Sequence, residues 1–411
     1  MTRLILASLL ASAALPAQAQ LLFLDDATVV VDGEQVVRDV LVDGGELKRV
    51  TERMTAPNGA RTIDGAWVTP GLFAVDSTMG LVEIGAESAT DDRGADTDVS
   101  SVANVAADAF NPRSPHVAII RRQGVTHTLS LPSPRGDTIF GGFGLVADTS
   151  GGFDSVKERR AALHVVLGES GAGMAGGSRA AAFAQLRGAL NDLELVSQGF
   201  REVPTPDYTS VLPPLDAGAL LPVASGEVPM AVRASRASDI VALANLKAEF
   251  PDLDVIVFGA EEAYLVADQL ADADMRYVVD PLNNLPDSFE SAAASFDNYT
   301  ELKEAGLDVA IANTSSLGVT RAQALRQHAG NAVARGADWH DAFEAISSVP
   351  AGWFGVEDTG LVVWDSDPLE VTSAAVHMIL GDESLSLESR QTLLRDRYNP
   401  TVDSERPHKY R

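Results

Sequence analysis

The stretch GAWVTPGLFAVDSTMGL, residues 65–81, closes an apolar run on Asp76-Ser77-Thr78. A carboxylate at the end of a buried strand can hold a divalent cation or activate water when imidazoles and further carboxylates join it. Seven histidines could supply the imidazoles. His116 is expected on a helix, His164 within a strand, His328 and His340 on late helices, His377 in a terminal β segment and His408 in the tail. Only His127, in GVTHTL, is expected on a strand that reaches an interior site, and a lone strand histidine is commonly a satisfied core residue. The competing arrangement is a metal cluster of Asp76, Glu83, Glu87, His127 and Glu169.

Other chemistries fit less well. GESGAG at 168–173 resembles a serine nucleophile turn, but Ala172 replaces its last glycine and no acid–histidine pair accompanies it. The glycine-rich loops lack the Gly-Lys-Ser/Thr ending that cradles nucleotide phosphates. Glu261 and Glu262 fall at a helix start, where negative charge is favoured by the helix dipole.

Alternating runs at 21–64, separated by Asp-Gly and Gly-Gly pairs, read as hairpin strands. A second β passage comes late, in TGLVVWDSDPL and SAAVHMILGDE, so a small sandwich from both chain ends is expected. Between them GVTHTLSLP, ALHVVLG, PMAVRA, LDVIVFG, MRYVVD and LDVAIAN are short apolar runs without clean alternation, as in strands buried on both faces. Helical stretches such as RASDIVALANLKAEF follow them, with Ser235 and Thr320 placed as N-caps. At least six such units, with no dinucleotide-type glycine fingerprint at the first, favour a TIM-like (β/α)8 barrel. The acidic stretch at 82–101 and the glycine-rich GESGAGMAGGSR are expected as mobile loops after strands.

Several framing words occur in a definite order: WVTPGL, NPRSP, RRQGVT, FGGFG, VLGES, RASDI, AEEAYLVADQL and VVWDSDPLE. In that order the chain resembles the amidohydrolase superfamily, especially its imidazolonepropionase-like exported members, over nearly the whole mature length. The resemblance implies a metal-dependent hydrolase barrel (residues 67–355) and a composite β-sandwich and tail (20–66 and 356–411). It implies metal ligands at the barrel mouth: His-x-His after strand one, Glu or modified Lys after strand four, single histidines after strands five and six, and Asp after strand eight. In this sequence those positions hold Asp76 and Thr78, Glu169, Arg233, Gly259 and Thr314; Ser235 stands where a second histidine often follows. Only Glu169 keeps the expected type. The connection WFGVEDTGLVVWD is also shorter than the family's hairpin.

The metal-ligand pattern is therefore degenerate, and no metal or cofactor is expected. Arg233 has two open placements. It is ion-paired with Asp76 or Glu169, supplying positive charge where a metal would, or it points to solvent at the rim. The resulting expectation is a non-catalytic relative, either a ligand binder or a partner of an active paralog, with self-association as an option. The alternative is a hydrolase of non-peptide carbon–nitrogen bonds, using zinc or another divalent metal in an unusual way, or none.

Composition narrows the setting. The chain of 411 residues carries 31 basic against 58 acidic residues, net −27, which argues against nucleic acid and anionic membranes. Arg3, the apolar stretch Leu4 to Leu15 and Ala17-Gln18-Ala19 read as a secretory signal at 1–19, cut after Ala19. Periplasmic or secreted localisation follows as an expectation. The absence of cysteine excludes disulfides and thiolate metal sites.

Overall fold

The computed structural model describes residues 21–31, 34–43, 46–95, 101–197, 211–314 and 321–399. The expected signal segment, Thr320 and His408 lie outside the described residues. Five strands open the chain: β1 (Leu22–Val31), β2 (Glu34–Asp43), β3 (Glu46–Thr51), β4 (Arg61–Asp64) and β5 (Trp67–Pro70). Eight follow: β6 (Leu72–Ser77), β7 (Val125–Ser130), β8 (Phe140–Asp148), β9 (Val156–Val166), β10 (Met230–Ala234), β11 (Val255–Gly259), β12 (Arg276–Val279) and β13 (Asp308–Ile311). Then come β14 (Leu361–Trp364), β15 (Ala375–Leu380) and β16 (Glu383–Ser384).

The first and last groups form one connected sheet in the order β16-β15-β14-β5-β1-β2-β3, with β4 also paired to β1. A single curled sheet thus stands where a sandwich was expected. Leu22, Leu24, Ala27 and Val29 face its own core with Val40, Val42 and Val68. The period-two phase of β1 slips at Asp25-Asp26, where the ladder with β2 shifts register and Asp26 has a φ of 48°.

The middle eight strands form a second sheet, β6 through β13 in chain order. Their apolar runs are buried on both faces, as parallel strands covered on both sides require. In β9, Leu163 and Val165 pack outward while Ala162 faces the interior with Ala231 of β10, Ile256 and Phe258 of β11, and Val278 of β12. Two features depart from an ideal (β/α)8 barrel. The third strand, β8, runs antiparallel to both neighbours, because β7, β8 and β9 are joined by hairpin-like connections rather than by helices. In addition, β13 and β6 are not paired with each other. The seam is bridged by one peptide segment: Ile311 N–H donates to the Ala345 carbonyl and Phe73 N–H to the Ile346 carbonyl, both at 2.9 Å.

The helix expected in RASDIVALANLKAEF is Ala237–Glu249, and Arg179–Ser197 and Leu325–Ala334 are helical as well. GESGAGMAGGSR was expected as a loop, yet Gly168–Met174 is helical. Ser235 was expected as an N-cap, but Arg236 occupies that position without a side-chain cap. The Glu262 carboxylate instead accepts the N–H of Ala237 at 3.1 Å.

Trp364 joins the outer sheet to the barrel. Its side chain is fully buried, its indole N–H donates to Thr69 Oγ1 at 2.9 Å, and the Arg326 guanidinium lies 4.8 Å from its ring. Gly124, at a φ of 85°, leaves room for the ring, since a Cβ there would come within 2.1 Å of it. Trp364→Ala should therefore destabilise the protein by about 3–5 kcal/mol, measured by denaturant unfolding, through lost apolar contact and a residual cavity.

Candidate functional site

Interior-facing positions alternate along each strand. Because Ala162 and Ala231 face inward, His164 and Arg233, two residues further on, face the same interior near the C-terminal mouth. Asp76 reaches the same region from β6. Arg233 Nη2 donates to Asp76 Oδ2 at 2.9 Å, and Arg321 Nη2 donates to Asp76 Oδ1 at 2.9 Å. The Asp76 side chain is fully buried. Arg233 also lies 5.9 Å from the Phe258 ring. The rim placement of Arg233 is thereby excluded, and of its two candidate partners the structure selects Asp76.

Burial opposes ionisation of Asp76, but Arg233 and Arg321 outweigh it and hold the carboxyl below its ordinary range. Burial likewise opposes the charge on both arginines, and Asp76 opposes that effect at each. Both guanidinium groups stay protonated, as arginine does in proteins.

A cavity of about 210 Å³ opens beside this cluster, lined by Asp76, Thr78, Arg233 and Thr314 together with Arg93, Ser133, His164 and Arg321. His164 is buried, and its Nδ1 lies 2.5 Å from the Pro132 carbonyl. A carbonyl only accepts, so Nδ1 carries the proton and Nε2 presents a lone pair. Among the described residues Nε2 has no hydrogen-bond partner. Burial, reinforced by Arg233, pushes the His164 pKa down to about 4. Arg93 is held at 2.7 Å by Asp91.

Other positions named from the sequence fall elsewhere. Glu169 is exposed, and its backbone N–H donates to the Glu290 carboxylate at 2.5 Å. Gly259 ends β11 at a φ of 93°, and a Cβ there would lie 2.9 Å from Glu261 Oε2. Glu261 accepts from Asn283 at 3.2 Å, and burial raises its pKa. His127 stacks on Phe73, which stacks on Phe354. Phe73 precedes Asp76 by three residues, about 10 Å along a strand, so His127 sits toward the other end of the barrel. Glu83 accepts from Asn111, and Glu87 caps a short turn through Ala89 N–H. The cluster of Asp76, Glu83, Glu87, His127 and Glu169 is therefore not assembled. Among the described residues, the acidic or imidazole groups close enough to share a cation are Asp25, Asp26 and Asp39, on the outer sheet.

His127 was singled out as the strand histidine reaching the interior, yet His164 is the one at the mouth. The signal was present in ALHVVLG, where His164 shares the period-two phase of Ala162. Arg321 and Arg93 carried no signal of this kind, since both come from segments outside the barrel strands.

With this geometry the chain resembles an amidohydrolase from Thermotoga maritima MSB8, with a TM-score of 0.74 and 22% identity over 89% of this chain and 99% of that one. Molinate hydrolase matches with a TM-score of 0.50 and 13% identity, over 90% of this chain and 95% of that one. No family model matches the sequence, and no curated protein matches it. The chain has the fold of that amidohydrolase, as its framing words implied.

Two measurements follow from the charges. Asp76→Asn leaves two guanidinium groups without their countercharge and should cost about 3–5 kcal/mol in unfolding free energy. Because the Asp76 pKa is lowered on folding, that advantage is present above its unfolded value of about 3.9 and is lost as pH falls through the folded one. For His164 the unfolded chain binds the proton more readily, so its neutral burial costs stability as pH falls. Between about pH 6.5 and 4, the protein should lose about 3 kcal/mol relative to His164→Gln. A difference that stays flat with pH would mean that the imidazole is solvated.

Proposed function

We propose that this protein is a non-hydrolytic relative of the amidohydrolases, in which an Asp76–Arg233–Arg321 cluster stands in place of a divalent cation and the barrel mouth binds a ligand. The observation that carries this reading is the Asp76 carboxylate, each oxygen of which accepts a hydrogen bond from a guanidinium group. To ligate a metal it would have to release both, next to two fixed positive charges that repel a dication. Catalytic zinc sites commonly use three protein ligands. Among the described residues lining this cavity, the remaining metal-binding type is His164. Gly259, where the family holds a histidine, adopts a backbone conformation that side chains rarely take. These donors do not fit zinc or another divalent cation.

One observation favours a second reading, hydrolysis of a non-peptide carbon–nitrogen bond without metal. A neutral His164 in the cavity lining and the half-buried Glu261, which acts on Arg233 and whose proton is held more tightly than usual, would be a base and an acid on the two sides of Arg233. Under either reading we propose an exported protein that associates with an intact paralog or with itself. The support is the leader-like start of the chain and the persistence of barrel-forming segments around an altered mouth.

The mature protein should bind no stoichiometric zinc after growth with added metal, measured by elemental analysis. It should also leave a panel of amides, imides and lactams unchanged. A reproducible single metal per chain would overturn the reading. So would turnover that survives chelation and is abolished by His164→Gln, which would establish the second. Sizing-column migration with and without the paralog tests association, and a monomer that leaves the paralog's activity unchanged would remove it.

A further inference from the structure

We propose that His164 sets the specificity of the mouth: its Nε2 takes the hydrogen of a hydroxyl on a small 2-hydroxyacyl compound, whose carbonyl oxygen lies on Arg233. The inference rests on the ligand-binding reading above and names the ligand's chemistry.

His164 Nε2 is a buried acceptor on a side chain that lines the cavity, and among the described residues nothing donates to it. Such an atom costs free energy until a donor reaches it. The Pro132 carbonyl holds the proton on Nδ1, so Nε2 accepts and does not donate. A molecule seated beside it must therefore bring an O–H or N–H group.

Arg233 makes the opposite demand. Among the described residues it donates to Asp76 through Nη2, and its side chain is 27% exposed where it lines the same cavity. A guanidinium has N–H groups and no acceptor, so what its remaining N–H groups hold must be an acceptor oxygen. The two demands meet within 210 Å³, about seven times the share of one liquid water. Donor and acceptor thus sit a few bonds apart on a small molecule. Ser133 and Thr314 place hydroxyls on the lining as well. They favour O–H over N–H, because a hydroxyl given to Nε2 keeps lone pairs for them, whereas an amide N–H keeps none. A hydroxyl next to a carbonyl meets these demands in the fewest atoms. A guanidinium binds a carboxylate or a neutral carbonyl oxygen, so 2-hydroxy acids and their neutral esters share this chemistry.

The test is calorimetric titration of the mature protein with lactate, pyruvate, methyl lactate and methyl pyruvate. Within each pair the hydroxyl is exchanged for an oxo group of similar size that has no hydrogen to give. At least one hydroxy compound should bind saturably, and at least about tenfold more tightly than its oxo partner, which lacks one hydrogen bond. Lactate binding more tightly than methyl lactate would support the proposal with a hydroxy acid as ligand, and the reverse order would support it with a neutral hydroxyacyl compound. His164→Phe, which keeps a ring and removes the acceptor, should erase the preference for the hydroxyl. Should that variant fail to fold, the nitrogen resonance of His164 Nε2 in the unaltered protein should shift on saturation with the hydroxy compound and not with the oxo compound. Equal binding within both pairs, tighter binding of the oxo compounds, a preference that survives His164→Phe, or no saturable binding by any of the four would overturn the proposal. Equal binding would leave the ligand-binding reading standing, and the zinc and turnover measurements judge the non-hydrolytic reading separately.

Discussion

Asp76 is a carboxylate buried completely at the mouth of a barrel, and that placement constrains the structure around it. An isolated ionised carboxylate in such a setting would pick up a proton, because desolvation penalises its charge heavily. Here Arg233 from β10, on Oδ2, and Arg321 from beyond β13, on both oxygens, keep it ionised. The arrangement links three distant parts of the chain and is mutually dependent, since each arginine is itself buried enough to need Asp76. An ion-pair cluster of this kind adds little net stability, because desolvation offsets much of the attraction, yet removing one partner is costly. Its chemical consequence is local: two guanidinium groups and one carboxylate meet at the mouth of a strongly acidic protein.

The barrel that presents this cluster is held in ways a regular (β/α)8 sheet does not need. Its third strand is reversed, and the join between the first and last strands is made through the Ala345 and Ile346 carbonyls. The N–H groups of Phe73 and Ile311 would otherwise be unsatisfied in a buried position, where an unpaired donor is costly. The outer sheet braces the other side through Trp364, whose ring fills the space left by Gly124. Nearby, the Trp339 ring lies between Trp67 of β5 and Phe343 of its own helix, at 5.2 and 5.1 Å. The mouth therefore rests on a scaffold whose rigidity comes from apolar packing, while its chemistry comes from a few polar groups.

Much of the scaffold was legible in the chain itself. Short apolar runs without alternation marked β7 and β9 to β13, because strands covered on both faces need apolar residues on both. Framing words around those runs implied the amidohydrolase fold, and the replacements at Asp76, Thr78, Arg233, Gly259 and Thr314 were visible as departures from it. A link between Asp76 and Arg233 could be anticipated, since a buried charge at one strand end calls for an opposite charge at another. What the sequence determined by itself was local: periodicity, the identity of each strand-end residue and the overall charge. Tertiary structure alone decided that Glu169 turns to solvent, that β8 runs backward and that the outer strands form one curled sheet. It also brought Arg321 onto Asp76 across 245 residues and placed His164 beside them, its Nε2 without a partner among the described residues. The physical reason is that period and residue type specify which side of a strand a group occupies, whereas charge pairing and desolvation act through space. Both depend on neighbours that chain folding brings together from unrelated parts of the sequence.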